Sequence, residues 1–345
     1  MSKEKIKYSG VGGEALIEGI MMKGPKGASM ACRMPDGSID VTMKDFQSVL
    51  DKYKILKTPF IRGPIAFVEQ MIFGYKCMME SAEKTGLDTS DLNEEEMSKF
   101  DKWLANHFGP KMMAVIGGIA MVLGFALAFV IFFWLPTFLT DLLNKYVAGG
   151  SLVRVRPLIE GVMRVIIFVI YMWSVSQMKD IKRVFQYHGA EHKSIFCIEH
   201  GLPLTVENVR KQIRFHPRCG TSFIFITIIL SIAVSSLVVV IAPGVRDIRP
   251  LWIAIKLLLL PLIMSLGYEC IRIAGRHDNV FTHILSAPGL FMQRITTKEP
   301  TDDIIEVAIA AIRVVIDDPD GKLIPTEEAA EQQPEAPESK PDEAE

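Results

Sequence analysis

Residues 112–140 contain no charged side chain, and neither do residues 220–244. Runs of that length limit the fold severely, because about 20 apolar residues coiled as a helix match the hydrocarbon thickness of a bilayer. Two further apolar stretches, 157–178 and 250–270, carry a few charges each. A chain that is 49% hydrophobic and 23% charged fits this pattern by segregating its charges between the apolar runs. The expectation is a mainly α, polytopic membrane protein with about four transmembrane helices and a small N-terminal α+β region. Met1–Asp40 has no apolar core of the length a signal peptide needs, so no cleaved leader is expected.

Charge orients the spans. Residues 179–218 carry eight Lys and Arg, against three in 141–156 and two in 243–250. By the positive-inside tendency the 179–218 loop is cytoplasmic, and an even number of spans places both termini there too. Four regions follow: a cytoplasmic N-terminal region (1–110), a four-helix transmembrane domain (111–276), a cytoplasmic segment with an amphipathic helix (277–318) and an acidic tail (319–345). Residues 327–345 hold eight acids and one base, a net −7, against −2 for the whole chain, which leaves +5 elsewhere. That tail is expected to be disordered. The five cysteines form no C-x-x-C pair, so reduced thiols are expected rather than a disulfide framework.

Local signals fill in the regions. Pro35-Asp36-Gly37 marks a turn. Pro59–Pro64 opens a helix over about 60–79, whose apolar face (Ile65, Val68, Ile72) is expected on the membrane surface, with a re-entrant element as the alternative. Residues 81–105 read as a polar linker. Residues 179–199 are expected to extend the second span, and Gly189, which costs a helix about 1 kcal/mol relative to Ala, allows a break there. Thr205 is placed to cap a basic helix over 206–214. An amphipathic helix is expected over 303–316, with Ile304, Ile305, Val307, Ala308 and Ile312 on one face.

The chemistry centres on His188-Gly189-Ala190-Glu191-His192 and His216-Pro217-Arg218-Cys219. The first reads H-x-x-E-H. On a helix its histidines stand about one turn apart on one face, able to share a metal ion, and Glu191 is the residue type that activates a bound water. Glu269, 77 positions after His192, is a candidate third ligand; an ion pair with Arg272 or Arg276 is the plainer reading. His216 and Cys219 are rival ligands that would close a four-ligand structural zinc site. Cys219 is also a candidate nucleophile, with His216 or His192 as its base. Glu14 and Glu18 read as carboxylates on one helix face or as turn and capping residues. Glu160 and Arg164 are expected to pair at i, i+4, and Lys256 to snorkel to the outer surface. His107, His200, His277 and His283 have no motif around them. The basic loop lacks interleaved aromatics, so attraction to anionic lipid is expected rather than nucleic-acid binding.

Several of these blocks resemble the YqhQ-like bacterial membrane family, domain of unknown function 1385. The resemblance rests on Gly12–Met22, Pro35–Ile39, Phe60–Gly63, Arg183–Lys193, His216–Ser222, Tyr268-Glu269 with Ala274-Gly275-Arg276, Pro288-Gly289-Leu290 and Thr296–Pro300. It covers about residues 8–316. Glu14 departs from the glutamine usual at that place. The resemblance implies a multi-pass protein of the bacterial inner membrane and a metal-dependent enzyme, and it supplies no substrate. Two functions stay open. One is a zinc-dependent hydrolase of the peptidase or amidase kind, with His188 and His192 on the metal, Glu269 or His216 completing the site and Glu191 as base. The other is a non-catalytic scaffold with a His/Cys metal site and a protein partner. A transporter ranks third.

Overall fold

The computed structural model describes residues 9–86, 119, 122–124, 126–146, 155–242, 244–245, 248–274, 279–318 and 321–324. Most of the acidic tail (all but residues 321–324), most of the expected linker, His107 and His277 lie outside the described residues. The structure is mostly helical, with one small sheet and four helices long and apolar enough to cross a membrane: Val122–Tyr146, Arg156–Val175, Ser222–Ile241 and Leu251–Ala274.

The sheet is an antiparallel meander of β1 (Gly12–Leu16), β2 (Gly19–Gly24), β3 (Gly27–Arg33) and β4 (Ile39–Lys44), each strand paired to the next. Glu14 and Glu18 therefore do not share a helix face. Glu14 lies in β1, and Glu18 sits at φ 49° in the tight turn to β2. The sheet is the middle layer of a polar domain. Ile20, Met22 and Ala31 face one side, and Leu16, Met21, Met30 and Cys32 face the other. This is the two-residue alternation of a pleated strand buried on both faces.

A short turn, α1 (Val49–Lys52), precedes α2 (Arg62–Lys84), which covers the second face through Phe73 and Cys77. Val68, Met71, Ile72, Tyr75 and Met79 of α2 stay exposed. The first face meets α5 (Lys179–Glu199) and α10 (Asp302–Arg313). The expected amphipathic face of α10 is the core itself: Ile304, Ile305, Val307, Ala308 and Ile312 are fully buried. Each such aliphatic side chain contributes about 1.5–3 kcal/mol.

The first span ends in α3 (Leu135–Tyr146), preceded by a π turn at Val130–Trp134. Pro136 has no N–H, so the carbonyl of Phe132 loses its usual i+4 donor and the ladder loosens there. The Nε of Arg164 donates to that carbonyl at 3.0 Å. Arg164 is thus engaged with backbone and does not hydrogen-bond Glu160. The other spans are α4 (Arg156–Val175), α7 (Gly220–Ile241) and α8 (Arg249–Ala274). A further helix, α9 (Val280–Thr296), packs with α4 and α8 around α7.

Residues 179–199 do not continue the second span. α4 stops at Val175, Ser176 turns its hydroxyl back to the Trp173 carbonyl at 2.6 Å, and Met178 is extended. α5 then starts afresh. Gly189 does not break α5, because it is a point of close approach. A Cβ there would lie 2.0 Å from the carbonyl oxygen of Lys298. Thr205 caps α6 (Val206–Arg210) as expected, accepting from Asn208 N–H at 3.2 Å, but the helix ends four residues early. Lys193 Nζ donates to the terminal Arg210 carbonyl at 3.0 Å.

Candidate metal centre

α5 places His188 and His192 one turn apart, with ring centroids 4.4 Å from each other. Cys219, the N-cap of α7, brings its sulfur to 3.1 Å from His188 Nε2. One ligand atom from each of the three residues lies within 4.8 Å of the others. The centre thus sits where the polar domain meets a membrane span.

Hydrogen bonding settles which imidazole nitrogens point inward. His188 Nδ1 lies 2.8 Å from the Thr296 carbonyl, and His192 Nδ1 lies 2.6 Å from the Arg214 carbonyl. A carbonyl can only accept, so both Nδ1 atoms carry hydrogen, and the tautomer this fixes leaves Nε2 of each ring as the nitrogen available to a metal. Fixing the outer nitrogen on a backbone carbonyl is the usual orientation of metal-ligating histidine. Burial holds His192 below the ordinary histidine range, which favours the neutral ligand form, although Cys219 opposes the shift. The helix N-terminus at Cys219 favours negative charge there. The donor set therefore fits a soft or borderline divalent ion.

Glu191 stands beside this group. Burial pushes its carboxyl up to about 8, with His188 pulling the other way and Cys219 and Glu14 adding to the rise. The Gly13 N–H bonds to Glu191. A Cβ on Gly13 would come within 3.1 Å of the Glu191 carboxyl carbon and 2.6 Å of the Met21 carbonyl, so a bare backbone is required at that contact. Glu14 accepts from Gln70 Nε2 of α2 at 3.1 Å; burial raises its carboxyl and Gln70 lowers it. The glycine-rich N-terminal run thus supplies a wall of the site.

The other sequence candidates are placed elsewhere. Glu269 is clamped by Arg62, with Nε donating to Oε1 at 2.6 Å and Nη2 to Oε2 at 2.5 Å. That partner is 207 positions away; of the two expected near in sequence, Arg276 lies outside the described residues. His216 packs its ring 5.5 Å from that of His192, but its Nε2 lies 3.2 Å from Arg218 Nη2 and 3.7 Å from Glu199 Oε2. Burial lowers the His216 pKa and Glu199 opposes that. Burial would raise Glu199, yet its bonds to His216, Arg218 and the Ser9 N–H outweigh it and hold the carboxyl at about 2. The Cys219 thiol lies 3.1 Å from His188 Nε2 and is also hydrogen-bonded to His192, one of the two bases expected for it. Glu18 is held by Arg183 through two bonds and by the Tyr187 hydroxyl at 3.2 Å, tying the β1–β2 turn to α5.

Sequence reasoning missed Gln293. It accepts from the His216 N–H at 2.7 Å and donates to the His216 carbonyl at 2.8 Å, both buried. These bonds fix the turn that delivers Cys219. A glutamine in an apolar helix, followed by Thr296 and Thr297, was the available signal.

Four apolar spans joined to a polar domain with a converging His–His–Cys group define a polytopic membrane protein with a candidate metal centre. The family model described as "Protein of unknown function (DUF1385)" matches residues 58–318. The chain is also 36% identical over 320 residues to "Uncharacterized protein YqhQ" of Bacillus subtilis (strain 168), covering 92% of this chain and 95% of that protein. The chain belongs to the DUF1385 family. No solved structure matches it.

Proposed function

We infer that this protein is a metal-dependent membrane hydrolase whose centre faces the cytoplasm. The observation that carries this reading is the convergence of two Nε2 atoms and the Cys219 sulfur beside a buried Glu191. Imidazole and thiolate donors suit zinc. Three protein ligands are characteristic of a catalytic site that keeps one position open, whereas structural sites fill all four. When bound, the ion would polarise a substrate oxygen and acidify an attacking water.

The chain's own groups do the rest. Glu191 takes a proton from the attacking water and returns it to the leaving group. Gly13 N–H holds that carboxyl in place. Thr296 and Arg214 carbonyls keep the histidines in the ligating tautomer. The charge bias of residues 179–218 supports a cytoplasmic orientation, and an amide or peptide is the substrate class proposed. The scaffold reading needs His216 as a fourth ligand, and its Nε2 is turned instead toward Arg218 and Glu199.

The test pairs metal content with turnover of an amide and peptide panel, wild type beside Glu191→Gln. The variant should keep about one zinc per chain and lose turnover about 100-fold or more. Full activity in the variant would remove the general-base role.

A further inference from the structure

The end of the spans farthest from the metal centre holds a second cluster of charge. α7 runs from Cys219 at that centre to Ile241, so α4 and α8, which run back, open at the opposite end with Arg156 and Arg249. There Arg156 reaches Asp141 of α3 at 2.7 Å and Glu160 at 2.8 Å, and Lys256 of α8 reaches Glu160 at 3.3 Å. Lys256 therefore does not snorkel free of partners. Arg164 lies over the Phe133 ring at 5.4 Å, and Lys256 over Trp252 at 4.7 Å. By helical rise, Glu160, Lys256 and Arg164 sit about 6, 10 and 12 Å inside their helix ends.

Ionisable groups at such depth are costly and mark functional sites. Glu160 is consumed: its side chain is 5% exposed and both oxygens are paired. Arg156 and Lys256 remain reachable, at 33% and 19%. Among the described side chains, three cations (Arg156, Arg164 and Lys256) face two carboxylates (Asp141 and Glu160), an excess of one positive charge. Beside Lys256 on α8 the flank is apolar and open, with Ile253 and Leu257 about 60° and 100° round the helix from it. A hydrated free anion gains nothing from such a flank, whereas acyl chains do. We propose that this cluster binds the phosphate of an anionic lipid from the leaflet opposite the metal centre. Guanidinium and ammonium donors grip the phosphate oxygens, and the exposed aliphatic side chains hold the acyl chains.

Native mass spectrometry of the full chain, released from bilayers of equal phosphatidylglycerol and phosphatidylcholine, tests this. Wild type should retain phosphatidylglycerol preferentially. Lys256→Met should weaken retention about fivefold, the worth of one surface cation. Asp141→Asn adds net positive charge and should strengthen retention by a similar factor. A purely structural ion network would be weakened by both changes. Should Lys256→Met fail to fold, judged by lost helical circular dichroism, the opposite-signed Asp141→Asn arm still decides. Equal retention of the two lipids by wild type, or weakened retention in Asp141→Asn, overturns the proposal. So does displacement of the lipid by millimolar inorganic phosphate, which would assign the cluster to a soluble anion.

Discussion

Replacing Gly189 with alanine in mid-helix ordinarily stabilises a protein by about 1 kcal/mol. Here the new methyl would lie 2.0 Å from the Lys298 carbonyl oxygen, more than 1 Å inside van der Waals contact. Backbone must move to admit it, and overpacking of that kind costs about 1–3 kcal/mol, sometimes more. The displaced strand is not idle. Lys298 N–H donates to the Phe185 carbonyl at 2.8 Å, and Thr296, two residues earlier, accepts from His188 Nδ1. The expected result is loss of the ordinary gain and a net destabilisation of up to about 2 kcal/mol, together with weaker metal binding, about 10-fold or more, because a ligand's outer hydrogen bond is disturbed. Thermal unfolding in detergent, followed with a thiol-reactive dye, reads the first effect. Zinc competition with a chromogenic chelator reads the second. A Gly189→Ala protein with a raised midpoint and unchanged zinc affinity would refute the claim that this contact sets both.

The ligand set predicts that His188→Ala, His192→Ala and Cys219→Ala each lose bound zinc, whereas Glu269→Gln, whose carboxylate is held by Arg62, retains it; elemental analysis of purified protein decides. Glu199 has a folded pKa of about 2 against 4.5 for the ordinary carboxyl, so its stabilisation is present above pH 4.5 and is lost as pH falls toward 2. At 1.36 kcal/mol per unit that is on the order of 3 kcal/mol. Glu199→Gln should therefore be less stable than wild type at pH 7, with the difference shrinking below pH 4.5 and nearly gone at pH 2, as read from unfolding midpoints across that range. Gln293→Leu should unlock the turn before Cys219 and lower zinc affinity while leaving the four spans intact, a difference seen as lost metal with unchanged helical circular dichroism.

The spans were legible because a bilayer imposes one simple demand, a long apolar run. The H-x-x-E-H face was legible because helical spacing alone aligns His188 with His192. The choice of Cys219 over His216 was not, since the two lie three residues apart and only the turn held by Gln293 separates their roles. Glu269 looked available because its partner Arg62 is remote in sequence. The turn reading of Glu18 holds, whereas Glu14 fits neither a helix face nor a turn, because short glycine-rich strands carry too few side chains to display a two-residue period. Gly189 looked like a weakness until the Lys298 carbonyl that needs its bare backbone was in view.

The partners of the N-terminal sheet have a consequence for biosynthesis. Ser9 bonds to Glu199 across 190 positions, and Ser29 to the Ala311 carbonyl across 282. At ribosomal speed the second partner arrives roughly 15–60 s after the first strand emerges. During that interval four apolar helices must enter the bilayer while Ile20, Met22 and Ala31 wait uncovered. Any nascent chain halted before residue 302 would present a sheet with one apolar face unclosed, so this domain can close only after translation is almost finished.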